Sequence, residues 1–202
     1  MKAVSIAPGD ILGFTVNIEM SHPGSLTVYM SKTPEALEAQ DYNGDGIWFK
    51  IYATTVTAYG KHAFHWAEYK YDQAIRNYTF ELPHRVPPGQ YLLRAEHIGI
   101  HDSAGFAKAQ FYISCAQLEV TGKGRGKPSL SAKIPGVYNG REPGILIDFF
   151  NPIPTNHDVP GPVTWPLACE NSAKILGETW DGDCGWSDVE TLALGRKHTR
   201  LW

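Results

Sequence analysis

A histidine in a tight turn, and a tyrosine beside a glutamine on a strand, are the residues of this chain whose chemistry goes beyond packing. Ser21-His22-Pro23-Gly24 puts His22 in a turn between two alternating strands. Gln110-Phe111-Tyr112 puts Gln110 and Tyr112 on one face of a later strand, with His101 upstream. Imidazole and phenol both ligate copper, and a nearby amide or second imidazole can hydrogen-bond bound oxygen. The four residues compose a candidate metal and oxygen site. Each alone has a plainer reading: a loop histidine is most often just solvated, and an outward tyrosine is commonly surface packing.

Other motifs carry less. His97 and His101 are four apart, but not as HExxH, and their segment reads as a strand end and loop rather than a helix. His62 and His65 lie in an aromatic-rich loop and read as structural or solvated. Asp181-Gly182-Asp183-Cys184 resembles a fragment of a calcium loop without its remaining ligands. No GxSxG elbow and no cysteine nucleophile motif occurs, and the Gly/Lys/Ser stretch 121–133 lacks a phosphate-loop pattern. The net charge of −3 gives no basic footprint for nucleic acid. No apolar run approaches the roughly 18 residues that span a membrane, and residues 1–10 lack the apolar stretch of a signal peptide.

The elements that must position the candidate site read as strands. Leu12, Phe14, Val16, Ile18 and Met20 are apolar at every second position, and Leu26, Val28 and Met30 repeat the pattern after the His22 turn. These two strands form either a hairpin or a crossing between sheets. Further strands are expected at 48–52, 78–82, 90–98 and 145–150. In the strand containing Tyr112, Phe111 and Ile113 share one parity while Ala116, Leu118 and Val120 share the other, which predicts a bulge or bend near Cys115. Phe111 and Ile113 are expected to face the core with Leu12, Phe14 and Val16, leaving Gln110, Tyr112 and Ser114 outward. Short strands without helical spacing, in a chain with 20 glycines and 14 prolines, predict an all-β fold: an antiparallel immunoglobulin- or fibronectin-like β-sandwich with long loops. The sandwich is expected over residues 1–166, with 167–202 as an appended tail.

Taken in order, several segments resemble one family. They are Ser21-His22-Pro23-Gly24, Val28-Tyr29-Met30-Ser31-Lys32, Trp48-Phe49-Lys50-Ile51, the run from Val86 to Arg94 leading through Glu96 to His101, Ala109-Gln110-Phe111-Tyr112 with Cys115, the run from Pro143 to Ile147, and Pro160-Gly161-Pro162. Their order and spacing over about residues 4–163 are similar to the fungal lytic polysaccharide monooxygenases of auxiliary activity family nine, once classed as glycoside hydrolase family sixty-one.

The resemblance implies a secreted, extracellular and monomeric β-sandwich with one copper on a flat surface. It implies oxidative cleavage of β-1,4-glucan such as cellulose at C1 or C4, using an external electron donor with oxygen or hydrogen peroxide. It maps the second histidine of the family's copper brace to His22, the axial tyrosine to Tyr112, and the pair that handles oxygen species to His101 and Gln110. The family's other brace residue is an N-terminal histidine, whereas this chain starts with Met1. A truncated N-terminus, weak copper binding and impaired glucan oxidation are therefore expected. The competing reading is a non-catalytic polysaccharide-binding sandwich. The resemblance also implies that Cys115 is unpaired, its usual partner lying upstream, while Cys169 and Cys184 can pair with each other. His157 stands about where the family carries a surface tyrosine before Pro-Gly-Pro.

Overall fold

The computed structural model describes residues 2–54, 56–59, 64–66, 69–70, 73–154, 156–166 and 198–201, with side chains described in 2–54, 76–154 and 156–166. Twelve strands appear among them: β1 (Val4–Ile6), β2 (Ile11–Met20), β3 (Gly24–Lys32), β4 (Ile47–Thr54), β5 (Val56–Tyr59), β6 (Phe64–Trp66), β7 (Tyr69–Lys70), β8 (Gln73–Glu81), β9 (Gly89–Gly99), β10 (Gln110–Val120), β11 (Ser131–Lys133) and β12 (His198–Leu201). A six-stranded sheet runs β1-β10-β9-β3-β4-β11 and a four-stranded sheet runs β12-β2-β8-β7. Most pairings are antiparallel; β1 with β10 and β12 with β2 are parallel. No helix among the described residues is long and apolar enough to cross a membrane.

The expected β-sandwich is present, and the His22 turn crosses between its sheets, because β2 and β3 lie in different ones. Leu12, Phe14, Leu26, Val28, Met30, Tyr78, Phe80, Leu93 and Leu118 meet in one apolar core, against which Val16 packs half-buried. Ile18 departs from the alternation and is 81% exposed, because β2 loses its register with β8 between Thr15 and Met20.

The outer face of the six-stranded sheet is covered as well. Ile98, Ile100 and Ile145 form a second apolar cluster, with Tyr138, Ile147 and Phe149 packed on it. A buried polar chain pins this cover. Tyr29 bonds the Tyr138 hydroxyl at 2.7 Å, Tyr138 donates to Glu96 Oε1 at 2.6 Å, and Arg94 Nη2 donates to Glu96 Oε2 at 2.6 Å. Lys50 Nζ, buried, donates to the Pro160 carbonyl at 2.7 Å. Burial pushes the Lys50 amine down to about 7. A sheet covered on both faces explains why β3 is buried along almost its whole length instead of alternating.

Three strand expectations need correction. Residues 145–150 form turns, not a strand: Ile145 N and Leu146 N both donate to the Glu142 carbonyl, and Ile147 N donates to Ser103 O. β10 carries no bulge, since it pairs with β9 residue for residue from Gln110↔Gly99 to Val120↔Gly89. Phe111 and Ile113 do not face the core. They lie on the outer face, 40% and 48% exposed, with Phe111 against Tyr138 at a ring separation of 5.7 Å. Apolar residues change parity along β10 because the second cluster occupies its outer face at one end, while the main core occupies its inner face at the other.

Candidate metal centre

The site is built at the end of the sheet where β3, β9 and β10 lie side by side. Directly opposed residues on neighbouring strands share a face. One row reads Leu26–His97–Tyr112 and the next reads Gly24–Gly99–Gln110. Both rows belong to the face turned toward the four-stranded sheet, as Tyr91, Leu93 and Ala95 do further along β9. Tyr112 therefore points into the open end of the space between the sheets, not outward from the sandwich. His22 precedes β3 by one turn, and His101 follows β9 by two residues.

Gly99 is where these side chains converge. A Cβ added there would stand 3.3 Å from His22 Cβ, 3.4 Å from Tyr112 Cε2 and 3.5 Å from His101 Nδ1. At the neighbouring Gly24 an added Cβ would strike the Ile98 carbonyl at 1.8 Å, so only glycine lets β3 approach β9 this closely. The His22 and His101 rings stack at 3.8 Å between centroids and 17° between planes. The His22 ring lies 6.1 Å from that of Tyr112, and His97 lies 5.8 Å from Tyr112. The Tyr112 hydroxyl donates to Gln110 Oε1. The structure thus brings together His22, His101, Gln110 and Tyr112, though through the inner rather than the outer face of β10.

Desolvation, then the proximity of His101, holds His22 below the ordinary histidine range, so its imidazole is neutral at neutral pH. His97 is buried, pushed down to about 4 mainly by burial, and hydrogen-bonded to the His22 backbone. Sequence reasoning had set His97 aside as half of an unproductive pair. The signal for it was its register opposite Tyr112, which needs the strand pairing to be seen. His101 Nδ1 is buried and has no hydrogen-bond partner among the described residues.

This donor set fits copper in kind: a neutral imidazole from His22, and a phenol oxygen whose proton is committed to Gln110. The His101 ring stacks on that of His22, 17° from its plane, and so stands beside the imidazole that would hold a metal. Among the described residues no group of three or more His, Cys, Asp or Glu is arranged to hold a metal ion, so His22 and Tyr112 form a two-donor set.

An apolar cleft of about 690 Å³ adjoins the site, lined by Phe14, Val16, Ile18, Met20, Tyr112 and Ile113 among others. Cys115 is a free thiol. His157 is buried and its Nε2–H donates to the Gly144 carbonyl at 3.1 Å, so it offers no surface for stacking on a sugar. The side chains of His62 and His65, together with Cys169, Cys184 and the 181–184 acidic fragment, lie outside the described residues.

The geometry can be set beside known proteins. The family model described as "Auxiliary Activity family 9 (formerly GH61)" matches residues 1–157. The AA9 family lytic polysaccharide monooxygenase G of Aspergillus tamarii is 43% identical over 85% of this chain and 52% of its own length. Lytic polysaccharide monooxygenase C of Emericella nidulans is 42% identical over 81% of this chain and 68% of its own length. The chain thus spans about half to two thirds of these curated relatives. The crystal structure of a cellulose-active polysaccharide monooxygenase from M. thermophila superposes with a TM-score of 0.72 at 29% identity, over 82% of this chain and 75% of that one. With the ordered motifs, the sandwich and the family match in agreement, this chain belongs to auxiliary activity family 9.

Proposed function

We propose that this chain carries the copper-facing surface of a secreted polysaccharide monooxygenase acting on β-1,4-glucan. The observation that carries this reading is the convergence of His22, Tyr112 and His101 on Gly99, each within 3.5 Å of one point. His22 would hold the metal through its neutral imidazole and Tyr112 through its phenol oxygen. Copper, when bound, supplies the one-electron chemistry with oxygen or hydrogen peroxide that oxidises a glucan C–H at C1 or C4, fed by an external electron donor. Gln110 Oε1 accepts the Tyr112 hydroxyl hydrogen bond, which would leave the phenol oxygen's lone pairs free to serve as a donor. His101, stacked on His22, would supply a second imidazole able to hydrogen-bond a small oxygen ligand at this site. The cellulose activity named for the M. thermophila protein supports a β-1,4-glucan substrate.

The test is copper(II) titration of the chain and of His22→Ala and Tyr112→Phe, read by calorimetry and by electron paramagnetic resonance. His22→Ala should weaken binding more than the roughly 10–100-fold typical of changes behind the ligands. Tyr112→Phe should mainly alter the spectrum, since a neutral phenol oxygen is a weaker donor to copper than an imidazole. Equal affinity in His22→Ala would remove the metal from this site. Oxidised oligosaccharides released from cellulose with a reductant present would establish the reaction.

A further inference from the structure

One motif of the chain plays no part in the metal centre. Asn77-Tyr78-Thr79 has the Asn-X-Thr pattern of an N-glycosylation acceptor, with no proline at X or directly after the threonine. No other asparagine of the chain heads such a triplet. The triplet lies in β8, and the pleat sorts its three side chains. Tyr78 is 3% exposed and sits in the main core, stacked on Phe14 at 5.5 Å and on Tyr52 at 6.3 Å between centroids. Asn77 and Thr79 turn the other way, and Asn77 is exposed. Their cross-strand partners on β2 are Thr15 and Gly13, neither of which has a long side chain to reach over the asparagine. Thr15↔Asn77 is also the last regular row of that ladder before β2 loses its register toward Met20.

We infer that Asn77 is a glycosylation site and carries an N-linked oligosaccharide on the outward side of β8. The inference rests on the secreted reading proposed above, because this transfer takes place in the secretory compartments. The donor is a lipid-linked oligosaccharide diphosphate, and the catalyst is the host's oligosaccharyl transferase. The bond from the sugar's anomeric carbon to the diphosphate oxygen breaks, and the lipid diphosphate leaves with its electron pair. A bond from that carbon to Asn77 Nδ2 forms, and the amide nitrogen gives up one proton. Nothing is oxidised or reduced. Thr79 supplies the hydroxyl that the transferase reads two residues beyond the acceptor. When β8 folds, the same alternation that buries Tyr78 sends the sugar outward, so a bulky, solubilising group is added without displacing a core ring. The metal centre stays clear of it, since His22, His101 and Gln110 lie at strand ends of the six-stranded sheet, whereas β8 belongs to the four-stranded one.

Expression of the whole chain behind a cleavable secretory leader in yeast tests this, with protein taken both from the medium and from the cell's secretory compartments. The intact mass should exceed the 22.4 kDa of the polypeptide by that of a glycan. It should fall back on treatment with the amidase that removes N-linked sugars, which leaves an aspartate at position 77 in the peptide map. Asn77→Gln, and separately Thr79→Ala, should abolish the added mass, while Thr79→Ser, which keeps a hydroxyl, should retain part of it. If Thr79→Ala fails to fold, Asn77→Gln at its exposed position carries the comparison. The bare polypeptide mass in both fractions overturns the inference, as does added mass that survives in Asn77→Gln. Release of oxidised oligosaccharides from cellulose by the same preparations reads the proposed function separately. An active but sugar-free chain overturns the glycosylation site alone, and an inactive but glycosylated chain overturns the monooxygenase reading while supporting the site.

Discussion

Lowering the pH should loosen the outer cover of the six-stranded sheet through His157. This residue is 6% exposed, and its Nε2–H donates to the Gly144 carbonyl. Burial pushes its pKa down to about 4, against a partial opposing pull from that hydrogen bond and from Asp158. An unfolded histidine titrates near 6.5, so between pH 6.5 and 4 the unfolded chain binds more protons than the folded one. The stabilisation is present above pH 6.5 and is lost as the pH falls toward 4. Integrating the two titrations gives a loss of about 2 kcal/mol by pH 5 and about 3 kcal/mol by pH 4. His157→Gln keeps a side-chain N–H for the Gly144 carbonyl and cannot titrate. Urea unfolding of both proteins at pH 7, 6 and 5 isolates the contribution. The variant should lose about 2 kcal/mol less than the parent between pH 7 and 5. Some acid sensitivity should persist in both, because His97 is also pushed down to about 4 by burial. Equal loss in the two proteins would refute the reasoning and show that His157 protonates without cost to the fold.

Two other expectations follow from the same contacts. Glu96→Gln removes the carboxylate that Arg94 and Tyr138 share in the buried chain, and should cost about 3 kcal/mol in chemical denaturation, since breaking one side of a buried pair strands the other. Gly99→Ala pushes against His22, Tyr112 and His101 together while leaving the paired backbone of β9 in place. Stability should change by less than about 1 kcal/mol, copper affinity should fall about 10-fold, and calorimetric titration beside thermal melts separates the two effects.

Much of the architecture was legible because period-two patterning survives wherever a strand has one buried face. β8 from Tyr78 to Phe80 is such a strand, with Thr79 half-buried between two buried rings. The pattern misled where a second apolar layer lies on the far side of a sheet. Phe111 and Ile113 look like core residues and are apolar, but they lie on the outer face, where Phe111 meets Tyr138 of the outer cluster. Ile145-Leu146-Ile147 reads as a strand for the same reason. Ile145 and Ile147 supply apolar cover to that outer face while the backbone of the segment turns back on Glu142 and Ser103. Periodicity reports which side chains share a face, not whether that face is the core: Phe111 and Ile113 share theirs and stay 40% and 48% exposed.

The four candidate residues nonetheless meet, even though the face assigned to Tyr112 was the wrong one. Their meeting depends on strand ends more than on strand faces. His22 lies just before β3, His101 just after β9, and Gln110 opens β10. Antiparallel pairing of β3 with β9 and of β9 with β10 brings those three ends to one place whichever way the pleat points. The face then decides what surrounds the cluster, and here the apolar parity of Phe111 and Ile113 pointed to the opposite side. Turned inward, Tyr112 lies beside His97 and at the mouth of the apolar cleft, with Gln110 as its hydrogen-bond acceptor. The pairing that would have shown this runs through Gly24 and Gly99, which offer no side chain to read. Their importance lies in what they leave room for: the Ile98 carbonyl beside Gly24, and His22, His101 and Tyr112 around Gly99.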